Sequence, residues 1–166
     1  MPQVTEGFVN APLTEVWRIF TTSEGLLKTG ATQAHVDLRL GGEIRAHYDP
    51  KGQLGGPGTL VAQILAYEPE RMLAMRITRA PADFPHPARL SELWTVLYLT
   101  ASGDDMTHVR IAGLGYSDDA ESRTLRSFFE EHNRATLDRI AKHYWPQCAR
   151  CAAESAAAGS TIQDGH

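Results

Sequence analysis

Cysteine is nearly absent from this 166-residue chain: the only two form Cys148-Ala149-Arg150-Cys151 near the C-terminus. A disulfide framework of the kind that staples small secreted domains is thereby excluded, and stability has to come from a packed core. The CxxC follows Pro146 without the strand-to-helix context of a thioredoxin-like motif, and zinc would need about two further ligands, for which His143 and His166 are the nearest in sequence. Incidental thiols, no metal and no cofactor are expected. Long apolar runs are also missing, and the chain does not open on a basic segment followed by an apolar one, so no membrane insertion and a cytoplasmic location are expected. Clustered Lys and Arg are absent and the formal charge is −4. A phosphate backbone needs clustered cations to release its counterions, which excludes nucleic acid as a partner. No Gly-rich phosphate loop, HExxH or Gly-x-Ser-x-Gly appears, and Gly55-Gly56-Pro57-Gly58 reads as a loop entering a strand. No constellation fixes a reaction.

What the chain does have is a definite order of elements. From Ser117 to Trp145 the apolar residues Leu125, Phe128, Phe129, Leu137, Ile140 and Tyr144 recur at three- and four-residue spacing, with His132 and Thr136 on the same stripe. Asp118, Asp119 and Glu121 crowd the first turn and Lys142 and His143 the last, as the helix dipole favours, and Pro146 stops the helix. Near the N-terminus Pro12 suits a first helical position, and Leu13, Val16, Trp17 and Phe20 make one buried face. A short helical piece is expected around Ser23 to Lys28, before Gly30.

Between the helices the period changes to two. Val36, Leu38 and Leu40 alternate with His35, Asp37 and Arg39. After the Gly41-Gly42 turn, Ile44, Ala46 and Tyr48 alternate with Glu43, Arg45 and His47, and Asp49-Pro50-Lys51-Gly52 reads as a hairpin turn. Strands are expected over roughly 58 to 67 and 71 to 79, joined at Glu68-Pro69-Glu70. A Pro-rich loop from Ala80 to Ala88 leads to a last hairpin, Ser91 to Thr100 and Thr107 to Tyr116. With a strand near Val4 to Val9, roughly seven are expected. The length and the 42% apolar content suit one domain over residues 1–146. The Ala-, Ser- and Gly-rich tail, 147–166, has no apolar period and is expected to be disordered.

Four segments carry a resemblance: Val9-Asn10-Ala11-Pro12-Leu13-Thr14-Glu15-Val16-Trp17, Leu40-Gly41-Gly42-Glu43, Tyr67-Glu68-Pro69-Glu70-Arg71-Met72-Leu73 and Thr95-Val96-Leu97-Tyr98-Leu99. Together, over roughly residues 3 to 145, they resemble the SRPBCC (START/Bet v 1-like) superfamily, and within it the bacterial branch similar to the Activator of Hsp90 ATPase C-terminal domain. The resemblance implies an α+β helix-grip fold: a curved antiparallel sheet of six or seven strands wrapped around a long C-terminal helix, with two short helices after the first strand. In many relatives a cavity between sheet and helix takes apolar or amphipathic molecules. This chain departs from the family at Lys28-Thr29-Gly30, where an aromatic residue is common, which implies a more open or more polar mouth.

The family pattern places Ile44, Ala46 and Tyr48 inward with Met75, Ile77, Trp94, Val96, Tyr98, Val109 and Ile111. A mainly apolar pocket with a few polar groups suits a small molecule. The expected ligand-binding set is therefore Tyr48, Met75, Ile77, Trp94, Val96, Tyr98, Ile111, Phe128, His132 and Thr136; for the aromatic members, plain core packing is the alternative. His132 is the candidate acid or base, above all if Glu92 reached it; the alternative is a histidine bonded to a tyrosine or a backbone carbonyl. The outward set, His35, Asp37, Arg39, Arg45, His47, Arg76, His108 and Arg110, fits a solvated face, against an anionic-ligand or partner patch. Leu93, Leu97 and Leu99 share that outward phase, and an exposed leucine row implies a covering element or a homodimer contact. The leading function is non-enzymatic binding of a small apolar or amphipathic ligand. The alternatives are a polyketide cyclase/dehydratase-like enzyme with one cavity acid/base, His132, Tyr48 or Tyr98, and a chaperone-interacting protein.

Overall fold

Pro12 stands at the N-cap of helix α1 (Leu13–Thr21), one position earlier than the sequence suggests, and the buried face of that helix is Val16, Trp17, Ile19 and Phe20. In the computed structural model, which describes residues 1–145, strand β1 (Gln3–Val9) precedes it and helix α2 (Ser23–Leu26) follows, capped by Thr22 accepting from Gly25 N–H. Strands β2 (Gln33–Val36), β3 (Glu43–His47), β4 (Leu60–Glu68), β5 (Met72–Arg79), β6 (Trp94–Ala101) and β7 (Thr107–Leu114) come next, and helix α3 (Ala120–Tyr144) is the last element among the described residues. The tail and the Cys148-Ala149-Arg150-Cys151 motif lie outside the described residues. A short 3₁₀ turn, Pro87–Glu92, extends the Pro-rich loop up to β6.

All seven strands form one antiparallel sheet in the order β1-β7-β6-β5-β4-β3-β2. It curves around α1 and α3, the expected helix-grip architecture. The alternation expected up to Leu40 stops at Val36: bonds from Arg39 N–H to Asp37 O and from Gly42 N–H to Arg39 O turn the chain out of the sheet there. Helix α3 packs along β1 and binds carbonyls just before and within it. Arg126 donates to the carbonyls of Met1 and Pro2 at 2.6 and 2.9 Å, and Arg134 donates to Glu6 O at 3.2 Å.

The core corrects the expected phase of β6. Leu97 faces Leu73 on β5 and Ile111 on β7, and Leu99 faces Val109. Residues paired across strands share a face, so the leucines must go where Val109 and Ile111 go, into the core. Leu93, Leu97 and Leu99 are 8%, 2% and 5% exposed, which removes the exposed leucine row and the dimer contact built on it. Trp94, Val96 and Tyr98 take the opposite, convex phase. The main core joins these leucines to Val16, Ile19, Ile64, Leu137, Ile140 and Tyr144, and fully burying one such side chain stabilises by about 1.5–3 kcal/mol. A second, smaller cluster of Leu90, Leu93 and Leu125 sits under the 80–92 loop, with Ile77, Phe84, Tyr116 and Phe129 against it.

Candidate functional site

Buried side chains of two clusters pack between the concave face and α3. Where the smaller cluster meets the sheet, Ile77, Leu90, Leu93, Tyr116 and Phe129 surround a gap of about 10 Å³, room for roughly one water. Of the expected ligand-binding residues, Met75, Ile77 and Ile111 face this side; Ile111 is buried in the main core and Met75 and Ile77 are half-buried. Thr136 is half-buried on α3. Trp94 begins β6 and borders the gap, Val96 is buried on the convex face between Ala74 and Ala112, and Tyr98 lies there under the Arg110 guanidinium, 5.3 Å from its ring centre. The sheet therefore does not bring Val96 and Tyr98 to the helix side.

His132 is exposed rather than turned into the interior. The buried line of α3 runs through Leu125, Leu137, Ile140 and Tyr144, and between them Asn133 takes the inward position, donating to Gln3 Oε1 at 3.2 Å. One residue off that line, His132 stacks on Phe128 with ring centres 4.1 Å apart, beside Phe84 of the loop at 6.2 Å. Its Nδ1 is bonded to Phe128 O at 3.0 Å. Glu92 is exposed at the end of the 3₁₀ turn and bound to Arg89 at 2.9 Å, so the structure does not assemble a Glu92–His132 pair.

Arg89 ties the loop to the start of α3. Besides Glu92 it reaches Asp119 at 2.9 Å and Glu121 at 3.2 Å, and Asp119 caps the helix by accepting from Ser122 N–H. The Arg89 guanidinium, then the Ser117 hydroxyl and the Ser122 amide hold the Asp119 carboxyl well below the usual carboxylate range. Inside, burial pushes the Tyr116 phenol up to about 12, with Arg126 pulling slightly the other way.

At the other end of the helix the Lys28-Thr29-Gly30 departure makes a polar closure, not an opening. Lys28 Nζ donates to the hydroxyl of Tyr144 at 2.9 Å, and Arg139 donates to Thr29 O at 2.6 Å. Gly30 has φ of 105°, and a Cβ there would meet the Arg139 guanidinium at 2.1 Å, so the close approach requires glycine. Tyr48 leaves 47% of its surface to solvent, and Thr29 and Arg139 both influence its phenol. Burial of that end pushes its pKa up, against the pull of Thr29 and Arg139. Tyr144 is 1% exposed; burial raises its phenol, Lys28 lowers it and Glu15 raises it again. Arg139 and the Arg89 clamp were not legible in sequence, because each acts on a partner more than twenty residues away. Among the described residues no three His, Cys, Asp or Glu side chains gather as a metal-binding group, and no helix is long and apolar enough to cross a membrane.

A curved seven-stranded sheet gripping a long C-terminal helix, with the helix-side space bounded by apolar side chains, defines the helix-grip class. The family model described as Activator of Hsp90 ATPase homolog 1-like protein matches residues 10–145, and the chain belongs to that family. Among solved structures it is similar to protein MLL2253 from Mesorhizobium loti, at 19% identity and a TM-score of 0.64, over 86% of this chain and 95% of that one. Protein Ms6760 from Mycobacterium smegmatis is 21% identical with a TM-score of 0.65, over 85% and 88% of the two chains. The Aha1 dimer from Colwellia psychrerythraea is 11% identical with a TM-score of 0.61, over 85% and 96%. No curated protein matches the chain.

Proposed function

We propose that this chain is a non-enzymatic binding protein for a small apolar or amphipathic molecule, taken between the concave face and the first half of α3, beneath the 80–92 loop; a cytoplasmic location goes with this role. The observation that carries it is the division of the interior into two clusters. The main core is closed by α1 and the second half of α3. The Leu90–Leu93–Leu125 cluster is closed on one side only by a loop, so its half-buried neighbours Ile77 and Phe129 can be uncovered without opening the main core. A gap of about 10 Å³ must widen before it holds more than water. Outward movement of the loop, with Leu90 and Phe84 on it, supplies that room, and the Arg89 clamp holds the closed state.

The enzyme alternative lacks a supporting arrangement: the imidazole of His132 is exposed and tied to a carbonyl, and Glu92 is tied to Arg89. Native mass spectrometry of gently purified protein, set against its denatured mass, tests the binding reading. A reproducible extra mass that persists in His132→Ala and is lost in Ile77→Arg is expected. A bare chain mass, with no saturable binding of the fluorescent probe anilinonaphthalene sulfonate, overturns it.

Homodimer formation is a second reading, on a different surface from the leucine row. Phe8, Tyr98 and Val4 are 56%, 39% and 38% exposed on the convex phase of β1 and β6, and the Colwellia relative is described as a dimer. Sedimentation at micromolar concentration giving only monomer would remove it. A chaperone-interacting role has only the family's description behind it.

A further inference from the structure

The convex face carries an opening much larger than the gap under the 80–92 loop. Between β3, β4, the end of β5 and the 49–58 loop lies a groove of about 280 Å³, with Arg45, Arg79, Glu43, Thr59 and Thr78 on its walls. A β-bulge makes it. Val61 on β4 pairs with Arg79, but the next residue, Ala62, pairs with Ile77, so Thr78 is an extra residue on β5. With regular pleating Arg79 would share the phase of Ile77 and point toward the core. The bulge instead turns it onto the face of Val61 and of Arg45, which pairs with Val61 from the other side. The two arginines thus flank Val61 in one cross-strand row, two strand spacings or about 10 Å apart.

The loop wall is fixed from below by polar side chains. His47 is 3% exposed although its sequence phase put it with the solvated set, because the loop folds back over it. Its Nδ1 accepts from Asp49 N–H at 3.1 Å, which leaves Nε2 to donate to Pro57 O at 3.0 Å. Gln33 bonds Gly52 O and Leu54 N–H, each at 2.9 Å, and Thr59 accepts from Gly55 N–H at 3.0 Å. A wall held this way needs little ordering when a ligand arrives. The charges are less settled: Glu43 occupies Arg45 at 2.7 Å, while Arg79 reaches Gly56 O only at 3.4 Å, long for a hydrogen bond.

We infer that this groove binds a compact oxyanion, a phosphoryl or carboxylate group, between the guanidiniums of Arg45 and Arg79. Guanidinium forks match both groups in plane and charge. The bound anion takes Arg45 from Glu43, so Glu43 weakens binding. The site is separate from the concave one, and neither depends on the other.

Titration of the full chain with inorganic phosphate and, separately, with malonate, followed by backbone amide NMR at constant ionic strength, tests this. Saturable shifts confined to Arg45, the 55–59 segment and Thr78–Arg79 are expected with at least one anion. Arg79→Gln should weaken binding by about tenfold or more, and Glu43→Gln should tighten it. Stronger binding of phosphate identifies a phosphoryl ligand, and stronger binding of malonate a carboxylate. Shifts that never saturate, spread over other exposed arginines such as Arg39, or survive unchanged in Arg79→Gln overturn the inference. Both variants alter side chains at the groove surface, and unperturbed shifts elsewhere in their spectra verify the fold.

Discussion

The two faces of the same sheet use their side chains for different ends. On the concave side Leu73, Leu97 and Val109, with Ile140 from α3, are at most 2% exposed, and the gap in the separate cluster under the 80–92 loop is about 10 Å³. On the convex side the same strands carry Arg45, Arg79, Arg110 and Tyr98, and the groove there is about 280 Å³. Interiors pack to the density of organic crystals because unfilled space forfeits contact energy, so a face that holds the core together tends to fill its own cavity. The convex face owes the core little and can keep a shaped, polar opening. In this fold the place that stabilises and the place that has room need not coincide.

The sharpest way to break that comparison is to truncate neighbouring residues of β6. Leu97→Ala removes a side chain that is 2% exposed and touches the core on both sides, and should cost about 2–5 kcal/mol in chemical denaturation. Tyr98→Ala, one residue on and 39% exposed, should cost about 1 kcal/mol or less. If the two costs were equal or reversed, the assignment of the faces would be wrong. Sequence alone invited that error. The period of two on β6 was plain, but alternation says only that Leu97 and Tyr98 part company, and the register with Leu73 and Ile111 decides which goes inward. On α3, by contrast, most of the stripe was legible, because a 3.6-residue period points to one side without a partner strand. Only His132 was misplaced, exposed at the flank of the stripe, since Asn133 makes an inward bond that apolar spacing does not show. The element order and the three helices α1, α2 and α3 could be read for the same reason, being set by local pattern. The Thr78 bulge and the buried His47 could not, because each exists only through a strand or loop brought beside it.

A smaller effect is expected where the convex opening is built. Gly52 passes over the His47 ring so closely that a Cβ would lie 2.0 Å from it. The ring cannot retreat without losing its bonds to Asp49 N–H and Pro57 O. Gly52→Ala should therefore destabilise by about 1–3 kcal/mol in denaturant unfolding, the cost of overpacking a well-filled site, and should disturb the amides of the 49–58 loop while leaving those of β6 and β7 in place. Disturbance spreading to Leu97 and Ile111 would mean that the loop and the core act as one unit and that the two faces are not independent.

The smallest effect concerns how dry the concave gap is. Tyr116 borders it, and burial raises its phenol from 10.0 to about 12 in the folded chain. The unfolded chain loses this proton first, so the neutral phenol's contribution to stability is complete below pH 10 and disappears as pH rises toward about 12. Tyr116→Phe should accordingly flatten the fall in stability across that window and delete one late step from the phenolate absorbance titration, while stability near neutral pH changes little. A ligand that fills the gap under the loop would dehydrate Tyr116 further and push its ionisation later still, whereas an oxyanion in the convex groove would leave it untouched. The same titration, repeated with each kind of ligand, reports which face has been occupied. If phosphate bound at Arg79 moved the Tyr116 step as much as an apolar molecule did, the separation of the two faces would fail.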